Sequence, residues 1–299
     1  MNKAATKINL QGKQIIVTGA SENSLGFATA CLLAQWGASV TITTRSNTQA
    51  IVKLLAQKSA GVVDGHDLDL TDTDSVVGFA NWYQQTHNNR LDVLINNAGI
   101  HLDLRSEWKS PHLTADGYEI HWRTNYLGTF QLTNLLLPLL LQTSQQYGEA
   151  RVVNVVSQLH SKGRNAALFD PPTPYNSWRA YGTSKLALVH LTTELQRRYG
   201  AQGLNAYCLH PGAVYTRIAD KGLDGHVFIG LLRKLLMPVE RFFLLSPKQG
   251  AQTSVHCATA PHLAAGCYYV NCVETTPSVD ASDAAVASRL FDQTLQKKL

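Results

Sequence analysis

Cysteine is scarce in this chain of 299 residues, and the few that occur exclude two kinds of protein. An odd number of cysteines does not fit a disulfide framework, and no two of them have the spacing of a metal-ligating pair. We therefore expect no structural disulfide, no bound metal and a reducing compartment, which favours a cytoplasmic protein. The five residues are Cys31, Cys208, Cys257, Cys267 and Cys272.

Long apolar runs are also lacking. The most apolar stretch, residues 132–141, is far shorter than the roughly 18 to 20 residues that a membrane-spanning helix needs. The N-terminal segment MNKAATKINLQGKQ has no apolar core of the kind found in secretory signals. We expect a soluble protein without a membrane span.

Neither the charged residues nor the histidines form a recognition cluster. The 26 Lys and Arg residues exceed the 21 Asp and Glu residues, but they are scattered, and no basic run alternates with aromatic residues. Nucleic-acid binding is therefore not expected. The histidines never occur in HxH, HxxxH or HExxH spacing, so they predict no metal site. We interpret His160 and His210 as partners of backbone groups near the site rather than as catalytic bases.

What the sequence does contain is a regular alternation of short β-branched runs and helical patterns. The first six runs are nearly continuous in apolar character, as strands covered by helices on both faces must be. The alternation predicts an α/β fold with a single doubly wound parallel sheet of about seven strands and helices on both faces. The predicted strands are residues 14–18, 39–44, 62–66, 91–96, 151–157, 204–209 and 267–270, and the predicted helices are residues 25–36, 73–86, 116–145, 178–199 and 247–260.

Chain length leaves the number of domains open, because 299 residues suit one large domain or two small ones. No linker, repeat or low-complexity tract divides the chain. We therefore expect one domain over residues 1–299, with a cofactor half at about 10–145 and a catalytic and substrate half at about 146–285. Two segments break the alternation: a proline-rich loop at 158–177 and a stretch at 213–246. We interpret the second as a mobile lid over the substrate, with a fixed helix pair at a subunit interface as the alternative.

A glycine-containing turn follows the first predicted strand. Residues 18–28, TGASENSLGFA, end the strand, turn and open a helix. The free backbone amides and the dipole at such a helix start suit a pyrophosphate. Alone, the turn is equally typical of an ordinary strand-turn-helix corner.

Further motifs follow along the chain. The motif NNAG at residues 96–99 ends the fourth predicted strand, and both of its amides are expected to hydrogen-bond loop backbone. Tyr181 and Lys185 are four residues apart in YGTSK, which on a helix places both side chains on one face. An adjacent ammonium lowers the pKa of a phenol, so Tyr181 is expected to transfer a proton at neutral pH.

Together these motifs resemble those of the short-chain dehydrogenase/reductase (SDR) family, from Gly12 to about Ala284. The turn is similar to the family's TGxxxGxG, although it has one extra residue and Ser24 where the middle glycine belongs, whereas NNAG and YxxxK match in full. The segments WRAY, SKLA and YYVNC look most like the retinol-dehydrogenase-like and WW-domain-oxidoreductase-like branch. The resemblance implies a Rossmann fold and a small hydrophobic carbonyl or alcohol as substrate.

The resemblance also implies NADP(H) as the cofactor. Thr44 stands where an NAD enzyme of the family would carry an acidic residue for the ribose 2′-hydroxyl, and Arg45 beside it suits a 2′-phosphate. The alternative is a solvated arginine at a strand end, with NAD(H) as the cofactor. The residues expected to contact the cofactor are Gly19, Ser21, Ser24, Leu25, Gly26, Arg45, Asp69, Leu70, Asn97, Ala98, Gly99, Tyr181, Lys185, Pro211, Gly212, Val214 and Thr216.

Four residues match the family's catalytic set. The resemblance makes Tyr181 the general acid/base and Lys185 the group that holds the ribose and lowers the tyrosine pKa. Ser157 would orient the substrate oxygen, and Asn125 would hold a water that links the lysine to solvent.

The predicted function is an NADP(H)-dependent oxidoreductase that transfers a hydride between the nicotinamide and a carbonyl or alcohol carbon. Two alternatives are reduction of a conjugated C=C bond and a non-catalytic NADP(H)-binding regulatory or scaffold protein, which the altered glycine turn would support. The apolar run at 132–141 exceeds what one helix needs to cover a sheet, so a homodimer or homotetramer is expected. Phe169, Tyr175 and Trp178 either line a substrate pocket or pin the 158–177 loop.

Overall fold

One eight-stranded sheet organises the chain in the computed structural model, which describes residues 3–59, 61–214 and 244–297. The strands are β1 (Gln14–Val17), β2 (Ser39–Thr44), β3 (Val63–Asp67), β4 (Val93–Asn96), β5 (Ala150–Val155), β6 (Leu204–His210), β7 (Tyr268–Val270) and β8 (Val273–Thr275). The helices are α1 (Leu25–Gln35), α2 (Thr48–Ala56), α3 (Thr73–Thr86), α4 (Gly128–Tyr147), α5 (Ser177–Tyr199), α6 (Pro247–Thr259) and α7 (Ala284–Leu295).

The strand order is β3-β2-β1-β4-β5-β6-β7-β8, with parallel pairing from β3 through β7. This confirms the predicted doubly wound sheet. The difference is β8, which pairs antiparallel with β7. Its three residues are all exposed, so it has no apolar run that a sequence pattern could detect. Asn271 and Cys272, with φ of 51° and 58°, make the tight reversal between the two strands.

The direction of winding reverses between β1 and β4, because β1 pairs with β2 on one side and with β4 on the other. In sheets of this kind, ligands bind beyond the carboxyl ends of the strands at the point of reversal. The register keeps those ends level: Val17 pairs with Ile95, and Asn96 pairs with Asn154. The loops after β1, β4 and β5 therefore meet at one edge of the sheet.

Apolar clusters cover both faces of the sheet. Ile16 points into a cluster formed with α3, α4 and α5, whereas Ile15 and Val17 point into the cluster formed with α1 and α6. Most leucines of the 132–141 run are buried in the first cluster, whereas Leu135 and Leu141 are only partly buried against it. Most of the run therefore packs inside the chain, and the homodimer or homotetramer stays a prediction.

The predicted helix at 116–145 begins later than expected. Asp116 lies in a turn, a π-helical turn covers Trp122–Leu127, and α4 begins at Gly128. The fully buried Arg123 in this turn reaches back to form an ion pair with Asp116. π-helical turns occur frequently at functional sites, and this one carries Asn125.

The predicted lid at 213–246 lies mostly outside the described residues, which stop at Val214 and resume at residue 244. The two flanks lie side by side, since Leu245 N donates to Ala213 O at 2.8 Å and Val214 forms a parallel bridge with Leu245. Both the lid and its alternative stay predictions. Of the helices that the structure describes, none is long and apolar enough to cross a membrane.

Candidate active site

Two glycines shape the turn after β1. Gly19 has φ of +69°, and a Cβ there would lie 2.8 Å from the Cα of Ala98. At Gly26, in the first turn of α1, a Cβ would lie 2.4 Å from Asn97 Nδ2 and 2.7 Å from Gly19 O. Neither position tolerates a larger residue without a shift, and the bare backbone can be approached closely by a pyrophosphate. This cradle fits the predicted cofactor.

Ser24 gives a physical reason for the altered glycine pattern. It is the N-cap of α1: its Oγ accepts a hydrogen bond from Phe27 N at 3.1 Å and donates to Gly19 O at 3.4 Å. A glycine could form neither bond. Asn23 has φ of 60°, in a left-handed conformation that asparagine tolerates, and Ser21 is exposed on the same turn. The turn is therefore a variant of TGxxxGxG in which a serine caps the helix. Since the altered glycine turn was the support for a non-catalytic protein, that alternative is weakened.

One amide of the NNAG motif holds the turn in place. Asn97 Nδ2 donates to Thr18 O at 2.7 Å and to Gly19 O at 3.2 Å. The backbone N–H groups of Asn97 and Ala98 both donate to Thr18 Oγ1 at 3.0 Å. The ends of β1 and β4 are thereby joined beside the glycine cradle.

The other amide, that of Asn96, does not hydrogen-bond loop backbone as predicted. Asn96 Nδ2 donates to Thr133 Oγ1 at 3.0 Å and to Asn154 Oδ1 at 2.9 Å, inside the core and away from loop backbone. Successive residues of a strand point to opposite faces of the sheet, so Asn96 and Asn97 cannot both face the turn.

Arg45 lies at the end of β2, where the prediction requires a group for the 2′-phosphate. Its side chain is exposed, and within the described part of the chain it forms no ion pair. Thr44 is buried, and its Oγ1 bonds to Thr48 Oγ1 at 2.6 Å and to Ser46 O at 2.8 Å. The guanidinium is therefore the free charged group at this strand end.

The predicted adenine segment follows β3. Asp69 Oδ1 accepts from Thr71 N at 2.9 Å, and Leu70 O accepts from Arg123 Nη1 at 2.7 Å. Arg123, which the sequence pattern does not single out, also donates to Thr73 Oγ1 at 3.0 Å. The π-helical turn therefore holds this segment in position.

Tyr181, Lys185 and Asn125 come together as predicted. Lys185 is buried, its Nζ donates to Val155 O at 3.0 Å, and it lies 5.8 Å from the centroid of the Tyr181 ring. A Cβ added to Gly99 would lie 3.1 Å from Lys185 Nζ and 3.2 Å from Asn125 Oδ1. Glycine is needed there because the lysine and the asparagine approach the NNAG backbone from two sides.

Asn125 is fully buried, and its amide is committed to protein groups. Oδ1 accepts from Ile100 N at 2.8 Å, and Nδ2 donates to Ile100 O and to Ser184 Oγ, both at 3.0 Å. The side chain thus anchors the segment that follows NNAG. Its predicted role in holding a water beside Lys185 stays a prediction.

Ser157 lies two residues beyond the end of β5, where its Oγ accepts from Leu159 N at 3.2 Å. His160 Nδ1 donates to Ser157 O at 2.7 Å, because its Nε2 accepts from Ser278 N at 3.0 Å. The structural role predicted for His160 is confirmed. His210 differs, since its buried Nδ1 has no partner within the described residues.

The pKa of Tyr181 is raised in the structure, whereas the sequence predicted that it is lowered. Burial raises it to about 12, and a side-chain hydrogen bond with Ser157 acts in the opposite direction. Burial also lowers the pKa of Lys185 to about 8. Desolvation disfavours the charged form of both groups, and in this structure it outweighs the expected effect of the ammonium. The phenol is therefore protonated at neutral pH.

Sequence reasoning missed a pair of histidines beside Tyr181. The ring of His101 stacks on that of Tyr181, with centroids 4.0 Å apart and planes 13° apart. The ring of His121 lies 6.1 Å from that of His101. A search for closely spaced histidines cannot find this pair, because separate segments bring the two together. The available signal is that His101 is the second residue after NNAG.

The segment after β6 leads toward the same edge of the sheet. Gly212 has φ of +87°, and a Cβ there would lie 2.5 Å from Leu245 Cδ1. Val214 packs against the start of α6, where a Cβ on Gly250 would lie 2.4 Å from Val214 Cγ2. Pro211 precedes this turn, and Thr216 lies outside the described residues.

Aromatic residues pin the 158–177 loop, which is irregular apart from 3-10 turns at Gln158–Lys162 and Ala166–Leu168. The Tyr175 hydroxyl donates to Glu119 Oε1 at 3.1 Å, and Trp178 Nε1 donates to Leu104 O at 3.0 Å. The guanidinium of Arg289 lies 4.0 Å from the Phe169 ring. The pinning role holds for all three, and Trp178 also contacts His101 edge-on at 4.7 Å.

Comparisons with known proteins agree with this geometry. The family model described as short chain dehydrogenase matches residues 13–225. The chain is 35% identical over 291 residues to retinol dehydrogenase 11 of Homo sapiens, covering 95% of this chain and 85% of that protein. It is 36% identical over 301 residues to retinol dehydrogenase 14 of Mus musculus, covering 95% and 85%.

Solved structures show the same fold. An uncharacterised protein from Mycobacterium paratuberculosis has a TM-score of 0.73 and 31% identity, covering 99% of this chain and 98% of that one. RhlG of Pseudomonas aeruginosa, solved as an NADP complex, has a TM-score of 0.67 and 23% identity, covering 91% and 98%. The chain therefore belongs to the short-chain dehydrogenase family, in its retinol-dehydrogenase-like branch, and is an oxidoreductase of a family that binds nicotinamide cofactors.

Proposed function

We propose that this protein is an NADP(H)-dependent oxidoreductase that interconverts a carbonyl and an alcohol on a small hydrophobic substrate. The observation that carries the proposal is the position of Tyr181. Its phenol hydrogen-bonds with Ser157, and its ring lies 5.8 Å from the Lys185 ammonium. Tyr181, Ser157 and Lys185 lie at the edge of the sheet that holds the cradle of Gly19 and Gly26. A proton donor and a bound nicotinamide can therefore act on the oxygen and the carbon of one carbonyl group.

Ser157, Tyr181 and Lys185 have separate roles in the reaction at the substrate oxygen. Ser157 offers a hydroxyl that orients and polarises the carbonyl. Tyr181 is protonated at neutral pH, because its pKa is about 12, and it donates its proton to the oxygen as the carbonyl is reduced. The Lys185 ammonium, buried nearby, stabilises the phenolate that remains. The nicotinamide, when bound, supplies the hydride in this direction and accepts it in the reverse direction.

Arg45 supports NADP(H) over NAD(H) as the cofactor. The guanidinium is exposed, and the neighbouring Thr44 hydroxyl is occupied by local hydrogen bonds. A charge-assisted hydrogen bond contributes on the order of 1.5 to 3 kcal/mol. This corresponds to a preference of about tenfold or more for a 2′-phosphate.

The hydrophobic substrate class rests on the relatives. Their names specify retinol, a long apolar alcohol, as the substrate of those proteins. We extend to this chain only the class, a lipophilic carbonyl or alcohol. A cytoplasmic location and a homodimer or homotetramer stay predictions from composition and from the resemblance.

The test is turnover with a panel of lipophilic substrates. Purified protein is incubated with NADPH or NADH and with ketones, aldehydes including all-trans-retinal, and enones. Absorbance loss at the nicotinamide band is followed, and the products are identified by mass spectrometry. Alcohol products with NADPH support the proposal. Saturated ketones from the enones would support C=C reduction instead, and tight cofactor binding without any turnover would support a non-catalytic role.

A further inference from the structure

A buried histidine beside Tyr181 has a ring nitrogen without a partner among the described residues. His101 is 6% exposed, and its Nε2 is buried with no hydrogen-bond partner in the described part of the chain. Buried polar groups have lost their water and almost always gain a protein partner. An orphaned nitrogen on a ring that stacks on the proposed proton donor therefore calls for a functional explanation.

The backbone on both sides of His101 is held in place. On one side, Ile100 exchanges two hydrogen bonds with the Asn125 amide, at 2.8 and 3.0 Å. On the other side, Leu102 N donates to His121 Nε2 at 2.9 Å. Two buried side chains that precede α4 thus set the position of His101, which does not lie on a loose loop.

His121 cannot be the missing partner, because both of its ring nitrogens are used. Its Nε2 accepts from Leu102 N at 2.9 Å, so its Nδ1 donates to Glu119 Oε1 at 2.6 Å. The Glu119 carboxylate also accepts from the Tyr175 hydroxyl at 3.1 Å. This network holds His121 with its edge toward His101, the two rings lying 6.1 Å apart.

The imidazole of His101 lies between two aromatic rings. It stacks on Tyr181 at 4.0 Å and contacts Trp178 at 4.7 Å, with the two planes 86° apart. Burial, with His121 and then Lys185 acting in the same direction, lowers the pKa of His101 to about 3. At physiological pH the ring is therefore neutral and has one N–H donor and one lone pair.

We propose that His101 recognises a second oxygen of the substrate, on the carbon next to the one that exchanges hydride. The imidazole stacks on the ring that donates the proton, so a group that hydrogen-bonds to it lies close to the reacting carbonyl. An α-hydroxy ketone satisfies the orphaned nitrogen, whereas a ketone without that oxygen leaves it unpaired. Sites that hydrogen-bond a substrate hydroxyl discriminate strongly against analogues that lack it.

This inference rests on the proposed function and narrows it. The substrate class becomes α-hydroxy ketones and the vicinal diols that they form on reduction. Retinol has no oxygen on the neighbouring carbon, so the inference separates this chain from the relatives that are named after it.

The test compares 2-hydroxyacetophenone with acetophenone, using NADPH. His101→Phe keeps a ring against Tyr181 and removes both nitrogens. We expect the ratio of kcat/KM for the hydroxy ketone to kcat/KM for the ketone to fall about tenfold, which corresponds to about 1.4 kcal/mol. The matched control is His112→Phe, at an exposed histidine stacked on Trp108 at 3.5 Å, and it should leave the ratio at the wild-type value. An unchanged ratio in His101→Phe would overturn the inference.

A binding measurement keeps the inference separate from the proposed function. Calorimetric titration of both ketones into the NADP⁺-loaded protein gives the ratio of their Kd values without turnover. If the wild type reduces neither ketone, the proposed function is in doubt, and the Kd ratio still decides the role of His101. Equal Kd ratios in wild type and His101→Phe would overturn it. If the Phe variant does not fold, the smaller His101→Leu takes its place in both measurements.

Discussion

Lys185 donates a hydrogen bond from Nζ to the carbonyl oxygen of Val155, the last residue of β5, at 3.0 Å. Ser157 follows Val155 by two residues, and Tyr181 precedes Lys185 by one helical turn. This contact between α5 and the sheet joins the two segments that carry the hydroxyl, the phenol and the ammonium. Preorganisation of this kind is what places catalytic groups within reach of one substrate atom.

Replacing the phenol tests its role as the proton donor. Tyr181→Phe should retain NADPH binding, because the ring stays, and lose turnover by roughly two to four orders of magnitude, the range for a positioned acid/base. Steady-state kinetics and fluorescence titration with NADPH measure the two effects. Tyr199→Phe, at the far end of α5, is the control and should keep both. A near-wild-type rate in Tyr181→Phe would show that Tyr181 is not the proton donor.

Carbonyl reduction should slow as the pH rises through about 8. Burial lowers the pKa of Lys185 to about 8, so its ammonium is lost there, while Tyr181, with a pKa of about 12, keeps its proton. The phenolate formed by proton donation then lacks its stabilising charge. A profile of kcat/KM from pH 6 to 10 reports groups of the free enzyme. A flat profile between pH 7 and 9.5 would contradict this prediction.

The same lysine should affect stability over a defined pH range. The pKa of Lys185 is 10.5 in its ordinary state and about 8 in the folded chain, so between these values the unfolded chain binds more protons. The contribution of Lys185 to the free energy of unfolding therefore rises with pH from about 8 to 10.5. The measurement is the difference in urea midpoint between wild type and Lys185→Met across this range. A difference that stays constant would show that the folded-state pKa is not lowered.

Arg45 is expected to set the cofactor preference. Arg45→Ala should weaken NADPH binding by about tenfold or more and leave NADH binding nearly unchanged, because only NADPH has the 2′-phosphate. Titration of both cofactors measures this. Lys53→Ala removes an equal charge from the exposed face of α2 and serves as the control. Equal losses for the two cofactors would assign the effect of Arg45 to general electrostatics.

Two glycine-to-alanine substitutions in helices should have opposite effects. At Gly26 the new methyl group would lie 2.4 Å from Asn97 Nδ2, so Gly26→Ala should destabilise the fold by about 1 to 3 kcal/mol and weaken NADPH binding. At Gly78, within α3, nothing lies within 4 Å, so Gly78→Ala should stabilise by about 0.5 to 1 kcal/mol. Denaturant unfolding of both variants measures this pair. Equal stabilisation would show that the cradle is open enough for a side chain.

The sequence alone determined the features that depend on neighbouring residues. The predicted helix 73–86 coincides with α3, because Asp72 caps it and apolar residues recur at helical spacing behind the cap. The face shared by Tyr181 and Lys185 follows from a helical spacing of four residues. The NNAG and YxxxK motifs identify the family because each consists of neighbouring residues, and the backbone geometry that each requires is local.

Only the tertiary structure decided what depends on distant groups and on the exclusion of water. Asn96 turns into the core because β5 and α4 supply its partners, and the pKa of Tyr181 rises because burial outweighs the nearby ammonium. His101 meets Tyr181 and Trp178 only after the segment that follows NNAG packs against α5. Desolvation and contacts between remote segments are properties of the packed chain, and a local pattern of residue types does not contain them.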